Sequence, residues 1–144
     1  MSYFFKFFLL FSLIFNYVYA NDYRDIVTVK LKKDEHKKIL VKYDNRQKIF
    51  TFRWTLFVNE RLVVLHSYDK IVGQNVLSLN YKNQSFKVEL KTRGADFYNV
   101  PYLLVKFKEF DKKTHKAVFE LFLSDSKMQV NLKYLKRDDA KSRE

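Results

Sequence analysis

Three histidines, His36, His66 and His115, are the side chains best suited to metal or acid–base chemistry in this chain, and their spacing argues against both. No two stand two residues apart on a strand or four apart on a helix, the separations that aim a pair of imidazoles at one ion. His36 and His115 fall in polar segments that read as turns, where a solvated imidazole is the default. His66 falls within a strand and is followed by Ser67, Tyr68 and Asp69. Ser–His–Asp catalysis needs three side chains converging in space, whereas neighbours on a strand point to opposite faces. A hydrogen-bonded or surface imidazole is the expected role of His66.

The carboxylates are scattered through turns and charged faces, and none pairs with another as a glycosidase would require. The two glycines, Gly73 and Gly94, stand too far apart for a P-loop and are too few for a dinucleotide fingerprint. The absence of cysteine excludes disulfides, thiol chemistry, a cysteine-ligated zinc and a lipidated N-terminal cysteine. Asn83-Gln84-Ser85 matches a glycosylation acceptor but is more simply read as turn composition. The expectation is a chain that is not an enzyme and holds no metal or cofactor.

The elements that would carry any site are strands. From Ile26 onward apolar residues recur with a period near two, broken every 8–12 residues by polar clusters. Val27, Val29 and Leu31 make one half-buried strand, and Ile39, Val41 and Tyr43 a second, with a short helix over 35–43 as the alternative. The strongest strand puts Phe50, Phe52, Trp54, Leu56 and Val58 on one face, with Ile49, Thr51, Arg53, Thr55 and Phe57 on the other. Asn59-Glu60 reads as a two-residue hairpin turn, after which Arg61 to Val72 returns antiparallel and Gly73-Gln74-Asn75 ends the strand. Val76 to Tyr81 and Phe86 to Lys91 read as a further hairpin. Strands around Leu103–Phe107, Ala117–Leu123 and Met128–Tyr134 follow the irregular segment 93–100 and the single proline, Pro101.

Eight or nine short strands without a long helix leave no room for parallel crossovers. Several strands are apolar on both sides, so the pattern predicts an all-β, antiparallel β-sandwich, immunoglobulin-like, with a small closed β-barrel as the alternative. Trp54 in a central strand suits a sandwich core.

Residues 1–20 read as a cleavable signal peptide. Lys6 gives a basic start, Phe7 to Phe15 an apolar run interrupted only by Ser12, and Val18 and Ala20 small residues at the −3 and −1 positions of a cleavage site. A helix over 7–20 would rise roughly 21 Å, short of the about 30 Å hydrocarbon core, which argues against an uncleaved anchor. No second apolar run of spanning length follows. The organisation expected is a signal peptide at 1–20, one β-domain at 21–135 and a solvated tail at 136–144, exported to a periplasm or secreted beyond it.

The formal net charge of +12 favours anionic partners, although Lys, Asn, Ile, Phe and Tyr are also the residues an A/T-rich genome would enrich. Lys30 with Lys32, Lys87 with Lys91, and Lys106 with Lys108 recur at even spacing, so each pair shares one side of its strand. In the 93–100 loop, Arg93, Asp96, Phe97 and Tyr98 form a second candidate contact. The functional expectation is an exported binding module that engages an anionic envelope component or an envelope protein, and not nucleic acid. The alternatives are a barrel-shaped carrier of a small apolar ligand and an inhibitor of an envelope hydrolase.

Overall fold

The computed structural model describes residues 23–91, 100–125 and 129–136. The proposed leader, most of the 93–100 loop and the tail beyond residue 136 lie outside the described residues. Alternation of apolar and polar side chains sets the strands: β1 (Asp25–Lys32), β2 (Lys37–Tyr43), β3 (Arg46–Val58), β4 (Arg61–Tyr68), β5 (Ile71–Ser78), β6 (Ser85–Glu89), β7 (Tyr102–Asp111), β8 (Lys116–Ser124) and β9 (Asn131–Tyr134). All pairings are antiparallel, in a four-stranded sheet ordered β1-β8-β7-β6 and a five-stranded sheet ordered β5-β4-β3-β2-β9. Two sheets packed as layers form a sandwich-like fold. The closed barrel gives way, because each sheet ends in two edge strands among the described residues. Residues 37–43 form a strand, which settles the helix alternative.

With so little glycine, the hairpins are turned by polar residues in left-handed conformations. Asn59 and Glu60, Asp44 and Asn45, and Asp69 and Lys70 all have positive φ, as two-residue type I′ turns require. The Asp69-Lys70 turn corrects the expected strand over 61–72. The chain reverses there, and Gly73 to Asn75 lie inside β5 rather than ending a strand. The expected hairpin of 76–81 with 86–91 is corrected too. β5 belongs to the five-stranded sheet and β6 to the four-stranded one, joined by a single 3-10 turn at Tyr81–Asn83 capped by the Asn80 side chain.

The core is the inner face of both layers. Phe50 stacks on Phe52 within β3 at 5.5 Å, Phe52 approaches Phe119 of β8 edge-on at 5.3 Å, and Phe119 lies 6.1 Å from Phe107 of β7. Burying one such side chain contributes about 1.5–3 kcal/mol, so a cysteine-free domain can be held by its interior. Each sheet carries one bulge, between Trp54 and Leu56 in β3 and between Phe107 and Glu109 in β7. The bulges invert the expected facing of the end of β3. Leu56 and Val58 turn to solvent, and Phe57 turns inward to stack on Phe110 at 4.0 Å. Two buried side-chain hydrogen bonds cross between segments among the described residues: Trp54 Nε1 donates to Leu31 O at 2.9 Å, and Tyr68 Oη donates to Leu90 O at 2.7 Å.

Candidate anion-binding surface

Lys106 and Lys108 project from β7 on the outer face of the four-stranded sheet, beside Lys30 of β1 and Lys87 of β6. This puts Lys30, Lys87, Lys106 and Lys108 of the expected set on one face, whereas Lys91 lies beyond the end of β6. Their neighbours on it include carboxylates, however. Glu120 of β8 stands opposite Lys106, and its carboxylate accepts from Lys108 Nζ at 2.8 Å. That bond raises the Lys108 pKa above the ordinary lysine value. Lys87 lies 3.9 Å from Glu89 and sits over the Tyr102 ring at 4.2 Å. Glu109 and Asp111 complete a mixed strand, with Asp111 turned back to accept from Lys113 N and Thr114 N. The other four candidates, Arg93, Asp96, Phe97 and Tyr98, lie outside the described residues.

The five-stranded sheet differs in kind. None of its strands contains an aspartate or glutamate. The acidic residues between Lys37 and Ser78 are Asp44, Glu60 and Asp69, each held in a hairpin turn at the end of the sheet. Register and alternation place Lys38 and Lys42 of β2, Arg53 of β3, Arg61 of β4 and Lys133 of β9 on the outer face. Arg53 reaches Asp34 at 3.7 Å from beyond the sheet, and Lys48 bonds Asp69 at the β4–β5 turn. Lys42, Arg61 and Lys133 are exposed. The pattern was present in the sequence. Reading it required knowing that β2 to β5 and β9 form one sheet, because the charge totals of single strands are unremarked.

A groove of about 770 Å³ opens where β1 faces β2 and β9. Val27, Val29 and Leu135 line it together with Lys30, Lys37, Lys38 and Lys136 and the acidic Asp34 and Glu35. Lys37 Nζ stands 5.7 Å from the centre of the Tyr134 ring. The groove meets the acid-free face at Lys38.

His66 is a structural imidazole. It stacks on Phe86 at 4.7 Å, faces Gly73 across the β4–β5 ladder and pairs its Nε2 with the Asn75 amide at 2.9 Å. Its Nδ1 is buried without a hydrogen-bond partner among the described residues. Burial holds its pKa below the ordinary imidazole value. The folded state therefore disfavours the proton. Stability from this site is full above the unfolded value of about 6.5 and is lost as pH falls through the folded one. Urea midpoints measured from about pH 7.5 to 5 should decline, and His66→Gln should flatten that decline. An unchanged slope in the variant would move the titration to His36, whose pKa is also lowered by burial and by Arg53 and Lys38.

Among the described residues, no cluster of three or more His, Asp or Glu is placed to hold a metal, and no helix is long and apolar enough to cross a membrane. No family model, curated protein or solved structure matches this chain. Functional inference therefore rests on its own surface. A face with cations on four adjacent strands and no carboxylate in any of them suits an extended anion better than a small one. A small ligand is bound by converging groups in a cleft, whereas a polymer or lipid surface meets many separated charges at once.

Proposed function

We propose that this chain is an exported, non-enzymatic binding protein that engages an anionic envelope component through the outer face of its five-stranded sheet. The observation that carries this reading is the exclusion of carboxylates from all five strands of that sheet. A general excess of lysine would raise the charge of both sheets without sorting the acids into one of them. The apolar run and cleavage-type residues at 7–20 support export to a periplasm or beyond it. The immunoglobulin likeness is carried only as far as the two-layer antiparallel architecture and the central Trp54. The strand order, two meanders with β1 and β9 added at their margins, differs from the immunoglobulin arrangement.

The test is co-sedimentation of the full chain, expressed in an exporting host and purified as that host delivers it. The probes are isolated cell envelopes and phosphatidylcholine vesicles with or without phosphatidylglycerol. Binding to the anionic probes should fall steeply between about 0.05 and 0.5 M salt. The triple variant Lys42→Glu, Arg61→Glu and Lys133→Glu should weaken it at least about a hundredfold, since losing three cations at about 1 kcal/mol each accounts for that much before the new carboxylates repel the surface. Lys87→Glu with Lys106→Glu, on the mixed sheet, should change it little. Equal losses from the two sets, or binding indifferent to salt, would refute the assignment of the face.

A further inference from the structure

Among the described residues each sheet has two edge strands, and three of the four carry charge. β1 contains Lys30 and Lys32, β6 contains Lys87 and Glu89, and β9 contains Lys133. Charged side chains along an edge are the usual protection against pairing with another chain. β5 has none. Its sequence, Ile71 to Ser78, holds no charged residue, and the uncharged stretch continues to Tyr81. It also displays apolar surface, with Ile71 at 73% and Val72 at 76% exposure, and Val76 and Leu79 about half exposed.

The hairpin fixes which backbone groups are free. In a two-residue turn the flanking residues, here Tyr68 and Ile71, exchange hydrogen bonds, and bonded positions alternate from there. Ile71, Gly73, Asn75 and Leu77 thus face β4, while Val72, Gln74, Val76 and Ser78 present N–H and C=O to the open edge. This set is self-complementary. Antiparallel pairing centred on Gln74 sets Val72 opposite Val76 of a second copy, twice by symmetry, with Gln74 opposite Gln74. Valine pairs and amide pairs across strands are favourable, and no lysine meets lysine.

We propose that β5 is a self-pairing edge, through which two copies join antiparallel about a twofold axis at Gln74 into one continuous sheet. The edge itself favours a second copy as the occupant, since its outward set pairs with itself and sets no charge against a like one. Two chains of formal charge +12 repel everywhere their basic surfaces approach, and β5 is the one edge among the described strands where none is opposed. A twofold pairing also sets the two acid-free faces side by side, doubling the area offered to an anion.

Sedimentation velocity of the full chain, as an exporting host delivers it, should give a dimer whose population rises with salt as the repulsion is screened. Anion binding moves the other way with salt, and the assay contains no anionic probe, so failure here is distinct from failure of the proposed function. Val72→Lys, at a side chain already in solvent, should raise the concentration for half-dimerisation about tenfold or more. Because the chain lacks cysteine, Gln74→Cys supplies a single thiol, and the pairing puts two such residues about 5.5 Å apart between Cα atoms, within disulfide reach. Gln74→Cys should oxidise to a covalent dimer far faster than Thr28→Cys on the β1 edge. A monomer at all salt concentrations, an open ladder of oligomers, or equal crosslinking of the two variants would overturn the proposal.

Discussion

Trp54→Ala is expected to lower the unfolding free energy by about 3–5 kcal/mol, among the largest losses available to a single substitution in this chain. Trp54 is buried in β3, meets Phe110 edge-on at 5.6 Å and donates its indole N–H to Leu31 O of β1 at 2.9 Å. It therefore ties the central strand of one sheet to an edge strand of the other. Truncation opens a cavity and removes the donor together. Trp54→Phe separates the two effects, since it keeps most of the ring volume and leaves the Leu31 carbonyl without its partner, a loss of about 1–3 kcal/mol. Equilibrium urea unfolding followed by far-UV circular dichroism reads both, because either variant removes the only tryptophan and with it the fluorescence signal. If Trp54→Phe proves as damaging as Trp54→Ala, volume is not what the site uses, and the hydrogen bond carries more than this account gives it.

Gly73→Ala should cost about 1–3 kcal/mol, although alanine normally suits a strand at least as well as glycine. An added Cβ would stand 2.5 Å from His66 Cε1 and Nε2. The ring cannot step aside cheaply, being stacked on Phe86 and held at Nε2 by Asn75. The loss should therefore vanish when the imidazole is absent. In a double-mutant cycle, Gly73→Ala made in a His66→Ala background should be close to neutral, and the coupling should account for nearly the whole single-variant effect. Additive losses would mean that the glycine is needed for its backbone and not for the room it leaves.

The same pair explains part of what the sequence could and could not tell. Glycine followed by two polar residues, here Gln74 and Asn75, reads as punctuation, so Gly73 was expected to end a strand. In the folded chain it is a notch for a histidine on the neighbouring strand, a relation that exists only once β4 and β5 are paired. The turn that does end β4 is Asp69-Lys70, which carries neither glycine, proline nor asparagine and so gives little local signal. By contrast, Asn59-Glu60 was legible, as was the buried alternation of Phe50, Phe52 and Trp54, since both depend on near neighbours alone. Beyond Trp54 the alternation failed, because a bulge adds one residue to β3 and swaps Leu56 with Phe57. Lys106 and Lys108 were correctly gathered on one face. What neutralises them, Glu120 on β8, could be placed only with the strand order. The acid-free face is the same kind of property, invisible strand by strand and plain once five strands lie side by side.

The strand order also imposes a sequence of events on folding. β2 to β5 and β6 to β8 are chain-local meanders that can form as soon as their own residues are available. β1 cannot: Asp25 pairs with Leu123, at nearly the opposite end of the chain. β2 likewise gains its second neighbour only when β9 arrives, with Ile39 opposite Tyr134. Closing loops of that length is slow relative to closing hairpins. A chain released from its N-terminus first must therefore hold β1 unpaired until β8 has emerged. The sandwich is sealed last by its two terminal strands, and no truncated fragment that lacks the C-terminal third can complete either sheet.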